Sequence, residues 1–233
     1  EAEVDSSANF FRENVLFGSQ DATLYCLNAK TGQLVWKHAI ADQIRCSPTV
    51  VEDRCFVAGC DGRLHIIDLN QGQEVGSVEI GGPTGVTPAA IGDRVYFGTE
   101  GGTFLCIDWK QAKQVWIYEE ENQGNAYRSS PAATDRIVVV GGRNRRVQAF
   151  DPGTGKELWS FAAKTRVDAS PVIVGQRVFA AAADGRLYTL DLQTGKLLWE
   201  YEAGGGFAGS PAVAAGRLVI ASDEGVVYCF GKG

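Results

Sequence analysis

A repeat of about 40 residues runs through the chain and restricts the folds that are open to it. The line LYCLNAKTGQLVWKH at 24–38 returns as VQAFDPGTGKELWSF at 147–161 and as LYTLDLQTGKLLWEY at 187–201. Between these lines a Ser-Pro or Thr-Pro pair recurs at Ser47, Thr87, Ser130, Ser170 and Ser210. The steps are 40, 43, 40 and 40 residues, and one further step back reaches Ser7, which gives six copies. A repeat of this length is typical of the blade of a β-propeller.

Each copy contains four short strand-like segments joined by turns. A Pro-led apolar segment comes first, and a turn that is often Asp-Gly joins the second and third segments, as suits a hairpin that needs positive φ. No helical period extends beyond one turn. The sequence therefore predicts an all-β fold, a six-bladed β-propeller of four-stranded antiparallel blades. We expect a single domain over 1–233, with repeats starting near 7, 47, 87, 130, 170 and 210.

The fourth segment of each copy follows a Thr-Gly turn and usually carries a Trp. It occurs only five times, because the sequence stops at YCFGKG where a sixth would begin, and residues 1–5 align with 41–45 instead. A last blade of three strands is therefore predicted. The Trp side chains should be buried against the next blade's turn, as structural residues: Trp36, Trp116, Trp159 and Trp199. Because Gly76 replaces Trp in the second copy, we expect the weakest interface there.

The pattern A-x-D-x-x-T-G-x-x-x-W, with Ser-Pro between copies, resembles the PQQ-like (pyrroloquinoline-quinone-type) repeat over essentially the whole chain. AFDPGTGKELW and TLDLQTGKLLW match best, whereas CLNAKTGQLVW has Asn28 in place of Asp. Proteins with this repeat include quinoprotein alcohol dehydrogenases, the outer-membrane assembly lipoprotein BamB and sensor propellers linked to kinases. The resemblance thus implies the fold, while the same repeat carries enzymes and non-enzymes.

The enzymes of this group have features that we do not find in the sequence. They generally have eight blades, a quinone, a calcium or lanthanide ion, a catalytic Asp and often a vicinal Cys pair, whereas this chain has six copies and no adjacent cysteines. His38 and His65 stand where other copies have aromatic residues, which indicates packing. We predict no catalytic residue, cofactor or metal, and favour a non-catalytic binding or scaffold propeller similar to BamB. The alternatives are a quinoprotein-type dehydrogenase or its remnant, and a sensor domain excised from a larger, kinase-linked protein.

The net charge and the cysteine content limit which classes of partner and which cellular compartment we expect. The net charge of −6 argues against nucleic acid, and no apolar run approaches the ~18 residues that span a bilayer. The chain begins at Glu1 and contains no Met, so a processed or excised product is expected. The six cysteines form no CxxC pair and are expected to be buried thiols. The resemblance implies the periplasm or cell envelope of a bacterium, while unpaired cysteines also fit the cytoplasm.

Function should lie where the copies diverge, on the loops that the scaffold holds. In a propeller the loops before the first strand and between the second and third strands share one face. We predict that the residues of one basic quadrant converge there around the channel mouth: Arg45, Tyr127, Arg128, Arg143, Arg145, Arg166 and Asp168. Guanidinium groups suit a protein partner with an acidic segment, or a small anion. The alternative is that Asp168 and the run Glu119-Glu120-Glu121 neutralise the arginines and leave a solvated rim.

Overall fold

The computed structural model describes residues 2–119 and 126–231, and the regular structure in these two stretches is β-strand. Five sheets have four antiparallel strands and the last has three, which confirms the predicted blades and the short sixth one. Strands follow chain order within every blade, so each blade is a meander. The chain divides into two compact units, Glu1–Glu119 and Glu120–Gly233, with three blades in each. The assignment of 1–233 to one domain stays a prediction.

The first unit contains blades one to three, with the following strands. Blade one has β1 Asn9–Phe11, β2 Asn14–Ser19, β3 Thr23–Asn28 and β4 Leu34–Ala39. Blade two has β5 Thr49–Val51, β6 Arg54–Ala58, β7 Arg63–Asp68 and β8 Gln73–Glu79. Blade three has β9 Ala89–Ile91, β10 Arg94–Gly98, β11 Thr103–Asp108 and β12 Lys113–Glu119.

The second unit contains blades four to six. Blade four has β13 Ala132–Ala133, β14 Val138–Gly141, β15 Arg146–Phe150 and β16 Glu157–Ala162. Blade five has β17 Val172–Val174, β18 Arg177–Ala181, β19 Arg186–Asp191 and β20 Leu197–Glu202. Blade six has β21 Ala212–Ala214, β22 Arg217–Ala221 and β23 Val227–Gly231.

Apolar clusters lie between successive blades and form the core. One cluster joins blades one and two, a second joins two and three, a third joins four and five, and a fourth joins five and six. The second and third strands of blades two to five supply most of the fully buried side chains, because both of their faces are covered. A single blade cannot bury its own apolar faces, so each copy depends on its neighbour.

Within each unit, a hydroxyl at the Ser-Pro position links one blade to the next. The Ser7 N–H donates to the Ser47 hydroxyl at 2.9 Å, and the Ser47 N–H donates to the Thr87 hydroxyl at 3.1 Å. In the second unit the Ser130 N–H donates to Ser170 at 3.0 Å and the Ser170 N–H donates to Ser210 at 2.9 Å. The inner strand of each blade is thereby tied to its neighbour one repeat away, which explains why Ser or Thr recurs.

The Thr-Gly turns are fixed by one carboxylate oxygen and a left-handed Gly. Asp191 Oδ1 accepts bonds from the backbone N–H groups of Gln193 and Thr194 and from the Thr194 hydroxyl, at 3.1, 2.9 and 2.7 Å. Gly195 has a φ of 68°, and this left-handed backbone conformation is energetically unfavourable for residues that have a Cβ. Asn28 accepts the same set of bonds in the first copy. The Thr194 hydroxyl and the backbone donors lower the pKa of Asp191.

The Trp of the fourth strand docks on the next blade's turn where that turn is present. The Trp36 indole donates to the Leu69 carbonyl at 3.1 Å, and the Trp159 indole donates to the Leu192 carbonyl at 2.9 Å. A Cβ at Gly195 would lie 2.6 Å from the Trp159 ring, so Gly is required there for close approach as well as for φ. Trp159 is 8% exposed, and Trp116 is buried to the same extent.

Trp199 departs from this rule, and its predicted burial is wrong. Its side chain is 43% exposed. The reason is the three-stranded sixth blade, since the described residues end at Gly231 on β23 and include no turn that could receive the ring. Trp199 instead stacks on Tyr201, with centroids 6.0 Å apart, and meets the edge of Phe230.

At the interface of blades two and three, blade three supplies the Trp ring that the fourth strand of blade two lacks. Trp109, in the receiving turn of blade three, packs on Phe56 with centroids 5.6 Å apart and donates to the Gly92 carbonyl at 2.9 Å. Gly76 faces Ala112, which stands where other turns have Gly, and a Cβ on Gly76 would lie 3.4 Å from the Ala112 Cβ. The aromatic ring is therefore supplied by the turn instead of the strand, so Gly76 by itself does not identify a weak interface.

The cysteines are all free thiols, and most are buried as expected. Cys26 and Cys106 fill the slot opposite the Trp of the fourth strand, while Cys46 and Cys55 lie in the cluster between blades one and two. Cys229 is exposed, contrary to the expectation, because no fourth strand in the described part of blade six covers β23. Burial raises the pKa of Cys26 to about 11 and that of Cys46 to about 12.

Candidate partner-binding site

Two loops of the second unit carry most of the predicted basic residues. Arg143 and Arg145 lie between β14 and β15, and Arg166 and Asp168 lie between β16 and β17. Arg145 has a φ of 62° and takes the place that Gly185 occupies in blade five. In both blades this residue's N–H closes the turn and its carbonyl accepts an N–H from the end of the fourth strand. The turn geometry is thus retained while an arginine is added.

Asp168 holds two of the arginines together. Its two carboxylate oxygens accept bonds from Arg143 Nε and Nη2 at 3.1 and 3.0 Å, and Oδ2 also accepts a bond from Arg166 Nε at 3.1 Å. The three side chains thus lie together, while their predicted role in binding stays a prediction. The three charges sum to +1, so the carboxylate reduces the positive charge without cancelling it. The Arg166 side chain remains 57% exposed and has not committed its Nη donors within the described residues.

Tyr127 does not belong to this surface, so its predicted contact role is wrong. The side chain is 1% exposed, and its hydroxyl donates to Gln148 Oε1 at 3.1 Å inside the blade. The neighbouring Arg128 is exposed, because successive residues of an extended segment point to opposite sides. No feature of the sequence indicates which of the two side chains points inward.

Arg45 belongs to the first unit and is described there by itself. Its Nε and Nη2 donate to Gln43 Oε1 at 3.1 and 2.7 Å, a contact within its own loop. Its convergence with the other arginines stays a prediction. The acidic run is the alternative partner that would neutralise the arginines. Its first residue, Glu119, ends β12, whereas Glu120 and Glu121 lie outside the described residues.

A buried polar cluster in blade two is structural. His65 is buried, and its ring nitrogens contact Glu74 Oε2 at 2.5 Å and Asp61 Oδ2 at 2.9 Å. The ring thus fills the aromatic slot and bridges two carboxylates, which the aromatic comparison alone did not indicate. Across 2–119 and 126–231 no group of three or more His, Cys, Asp or Glu side chains is placed to hold a metal ion.

Four-stranded meanders that repeat every 40 residues, joined by inner-strand hydroxyls and outer-strand indoles, define a PQQ-like repeat β-propeller. The chain belongs to the family described as outer membrane protein assembly factor BamB, whose sequence model matches residues 3–75, 20–147 and 143–232. The crystal structure of BamB from Moraxella catarrhalis superposes with a TM-score of 0.85 at 21% identity, over 98% of this chain and 73% of that one. The fold is that of a six-bladed propeller with a three-stranded last blade.

Curated relatives include two assembly factors named BamB and two enzymes. BamB of Burkholderia pseudomallei is 28% identical over 157 residues, which is 64% of this chain. Tetrathionate hydrolase of Acidithiobacillus ferrooxidans is 26% identical over 153 residues, and quinoprotein ethanol dehydrogenase of Pseudomonas aeruginosa is 34% identical over 80. The chain spans 40% of that BamB, 30% of the hydrolase and 12% of the dehydrogenase.

Proposed function

We propose that this chain is a non-catalytic binding propeller that presents the loops of blades four and five to an acidic segment of a partner protein. The family match over nearly the whole chain supports a scaffold role, since the relatives named BamB are outer membrane protein assembly factors. The arginine cluster around Asp168 is the observation on which the choice of partner rests.

The geometry favours capture of carboxylates by a surface that is already arranged. Asp168 fixes Arg143 and Arg166 in one orientation, which lowers the side-chain entropy that binding would otherwise cost. Arg145 is exposed on the adjoining loop and has no ion pair within the described residues. Guanidinium groups grip carboxylates with two parallel hydrogen bonds. The surface therefore suits a peptide with two or more acidic side chains better than a single small anion.

The test is a titration with an acetylated acidic hexapeptide, its Gln/Asn analogue and inorganic sulfate. We expect the acidic peptide to bind, to weaken as salt rises, and to bind at least tenfold more weakly to an Arg145→Ala, Arg166→Ala double variant. Arg128→Ala combined with Arg145→Ala probes the exposed arginine beside Tyr127. Arg136→Ala is the matched control, since Arg136 is an exposed arginine of blade four at the start of the second strand.

Three outcomes would count against the proposal. Absence of binding would remove it, and so would binding that neither salt nor the double variant changes. Equal loss in the Arg136→Ala control would show that overall charge, not the cluster, attracts the peptide. Stronger binding of sulfate than of the peptide would replace the protein partner by a small anion.

The enzymatic alternative has its own test, because two of the relatives are enzymes. The described residues do not fit a quinoprotein centre, since their carboxylates form no group able to hold its metal ion. We expect no change in the absorption spectrum of pyrroloquinoline quinone and calcium when the protein is added. A bound spectrum together with dye reduction in the presence of ethanol would favour a dehydrogenase instead.

We further propose a location in the bacterial cell envelope, as the naming of the BamB relatives suggests. No helix in the described stretches is both long and apolar enough to span a membrane. Fractionation of cells that express the full-length gene product tests the location, with recovery in the cytoplasm as the contrary result. The full-length reading frame also distinguishes a scaffold from the sensor domain of a kinase-linked protein.

A further inference from the structure

The chain has two histidines, and the repeat places both at the interface of blades one and two. His38 lies on β4 of blade one, and His65 lies on β7 of blade two. Residues at the same two repeat positions touch in the second unit, where the ring of Phe161 lies 5.0 Å from that of Tyr188. The histidines therefore replace an aromatic pair and bring titratable rings into an apolar interface.

Both ring nitrogens of His65 contact a carboxylate oxygen. Nδ1 lies 2.5 Å from Glu74 Oε2, and Nε2 lies 2.9 Å from Asp61 Oδ2. Each contact needs a hydrogen, and an ionised carboxylate has none to donate. A neutral imidazole carries one N–H, so a second proton is required on the other ring nitrogen or on a carboxyl group. The three side chains, which we call the blade-two network, thus hold two protons between them.

Blade four contains the same network built with amides. Asn144, Gln148 and Glu157 occupy the repeat positions of the three residues of the blade-two network. Asn144 Nδ2 donates to Gln148 Oε1 at 3.0 Å, and Gln148 Nε2 donates to Glu157 Oε2 at 2.8 Å. An amide keeps its hydrogens at every ordinary pH. Blade four therefore retains both bonds under conditions in which the blade-two network can lose one.

Asp61 connects the blade-two network to the loop that arrives from blade one. Its side chain is 5% exposed, and Oδ1 accepts the Arg63 N–H at 3.1 Å. Oδ2, which contacts His65, also accepts the Ala41 N–H at 3.4 Å. Ala41 lies between β4 and β5, in the loop that carries Arg45. Loss of a proton would leave two acceptors facing each other, which weakens the hold of Asp61 on this loop.

Other charged and titratable groups surround His65 on the elements that pack against it. Arg63 on β7 donates to Glu79 on β8 at 3.2 Å, and burial raises the pKa of the Cys46 and Cys55 thiols, which stay protonated. The remaining groups are exposed or half-exposed: Lys37, His38, Asp42, Arg45 and Cys60. The charge that changes at the buried centre of this interface therefore belongs to the blade-two network.

We infer that the blade-two network is a pH-sensitive switch between blades one and two. While it holds two protons, the His65 ring bridges both carboxylates and the loop at Ala41 is held. Imidazole changes its charge between about pH 5 and 8, and loss of one proton as pH rises opens one contact. The folded state then binds a proton more firmly than the unfolded chain does. The network therefore stabilises the protein at lower pH, and this contribution is lost as pH rises.

The first test compares wild type with an Asp61→Asn, His65→Gln double variant, which copies the amides of blade four. Urea unfolding is followed from about pH 5 to about pH 9. We expect the unfolding equilibrium constant of wild type to rise relative to that of the variant, by at most about tenfold per pH unit for one proton. His38→Phe is the matched control, because it copies Phe161 and should keep the wild-type pH dependence.

Two measurements on wild type locate the switch without a variant. Nitrogen NMR of the two histidine rings should show the His65 shifts changing over this pH range in the folded protein. Protection of the Ala41 and Arg63 amide hydrogens against exchange should fall over the same range, since both donate to Asp61. The Arg146 amide is the internal control, because it donates to Asn144 Oδ1 at 3.0 Å in blade four and should keep its protection.

Several results would overturn the inference. One is a set of His65 ring-nitrogen shifts that stays constant from about pH 5 to about pH 9. Another is the same pH dependence of unfolding in wild type and in the double variant, and a third is equal loss of protection at Arg63 and Arg146. Loss of the pH dependence in His38→Phe would assign the proton to His38 instead. The inference concerns residues of the first unit and does not depend on the proposed function.

Discussion

At the scale of single residues, the two Trp side chains of the second unit are a matched pair with different surroundings. Trp159 is buried on Gly195 and hydrogen-bonded, whereas Trp199 is 43% exposed. We expect Trp159→Ala to lower the free energy of unfolding by ~3–5 kcal/mol and Trp199→Ala by only ~1–2 kcal/mol. Urea unfolding of both variants measures the difference. Equal losses would mean that a part of the molecule covers Trp199.

The lowered pKa of a turn carboxylate leads to a prediction about the stability of the protein in acid. The pKa of Asp191 is lowered from its ordinary value of 3.8, first by the Thr194 hydroxyl. Protonation is therefore harder in the folded state, and the contribution to stability is present above the ordinary pKa and is lost as pH falls through the lowered one. Asp191→Asn should cost stability near neutral pH, and this cost should shrink as the pH falls toward ~3.

The measurement for Asp191→Asn is the urea midpoint at several pH values, compared with wild type. Asn is a fair replacement because Asn28 accepts the equivalent three bonds in the first copy. Asp191→Ala is the control that loses the acceptor at every pH. Parallel midpoint curves for wild type and Asp191→Asn would contradict the assignment.

At the scale of strands and turns, the Trp ring between blades two and three can be moved by design from the turn of blade three to the fourth strand of blade two. Gly76→Trp alone should destabilise the protein, because the Trp109 ring already fills the interface. Adding Trp109→Leu and Ala112→Gly rebuilds the turn found at Leu69–Gly72, and we expect this triple variant to recover most of the loss. Thermal unfolding of the single and triple variants decides. A triple variant no better than the single one would show that the interface depends on more than these three positions.

The elements were predictable because their signals are local and recur, whereas the exceptions were not. Ser-Pro, Asp-Gly and Thr-Gly place strands and turns in every copy, and the missing sixth Trp line indicated the three-stranded blade. The fourth strands also contain a bulge just before the Trp, for instance at Val35, which no spacing in the sequence revealed. Tyr127 was misplaced because loops lack periodicity. Trp199 is exposed because the described residues of blade six include no turn that could receive its ring.

At the scale of the whole molecule, thiol reactivity should follow burial. A disulfide reagent near pH 8 should modify Cys229 first and partly buried Cys60 more slowly. The four buried thiols should react only on unfolding, since they are inaccessible and burial raises their pKa: Cys26, Cys46, Cys55 and Cys106. Mass spectrometry of modified peptides over time gives the order. Early labelling of Cys46 or Cys55 would contradict the described core.

The same four thiols test the single-domain prediction, because all of them lie in Glu1–Glu119. The Ser-Pro pattern continues in the sequence from Thr87 to Ser130, and stacked repeats stabilise one another. We therefore expect thiol exposure and the loss of circular dichroism to share one urea midpoint. Two separated transitions would show that residues 1–119 and 120–233 unfold independently.

The hydroxyl links between blades have a consequence for how such a chain changes length. Ser47 gives its hydroxyl to the amide of Ser7 and its own amide to the hydroxyl of Thr87, and Ser170 does the same between Ser130 and Ser210. A duplicated gene segment that spans a whole copy inserts into this relay without leaving a donor or acceptor unmatched. A segment of any other size breaks it. We therefore expect the fold to tolerate insertions and deletions in multiples of about 40 residues. The position of the crossover point within the copy should not matter.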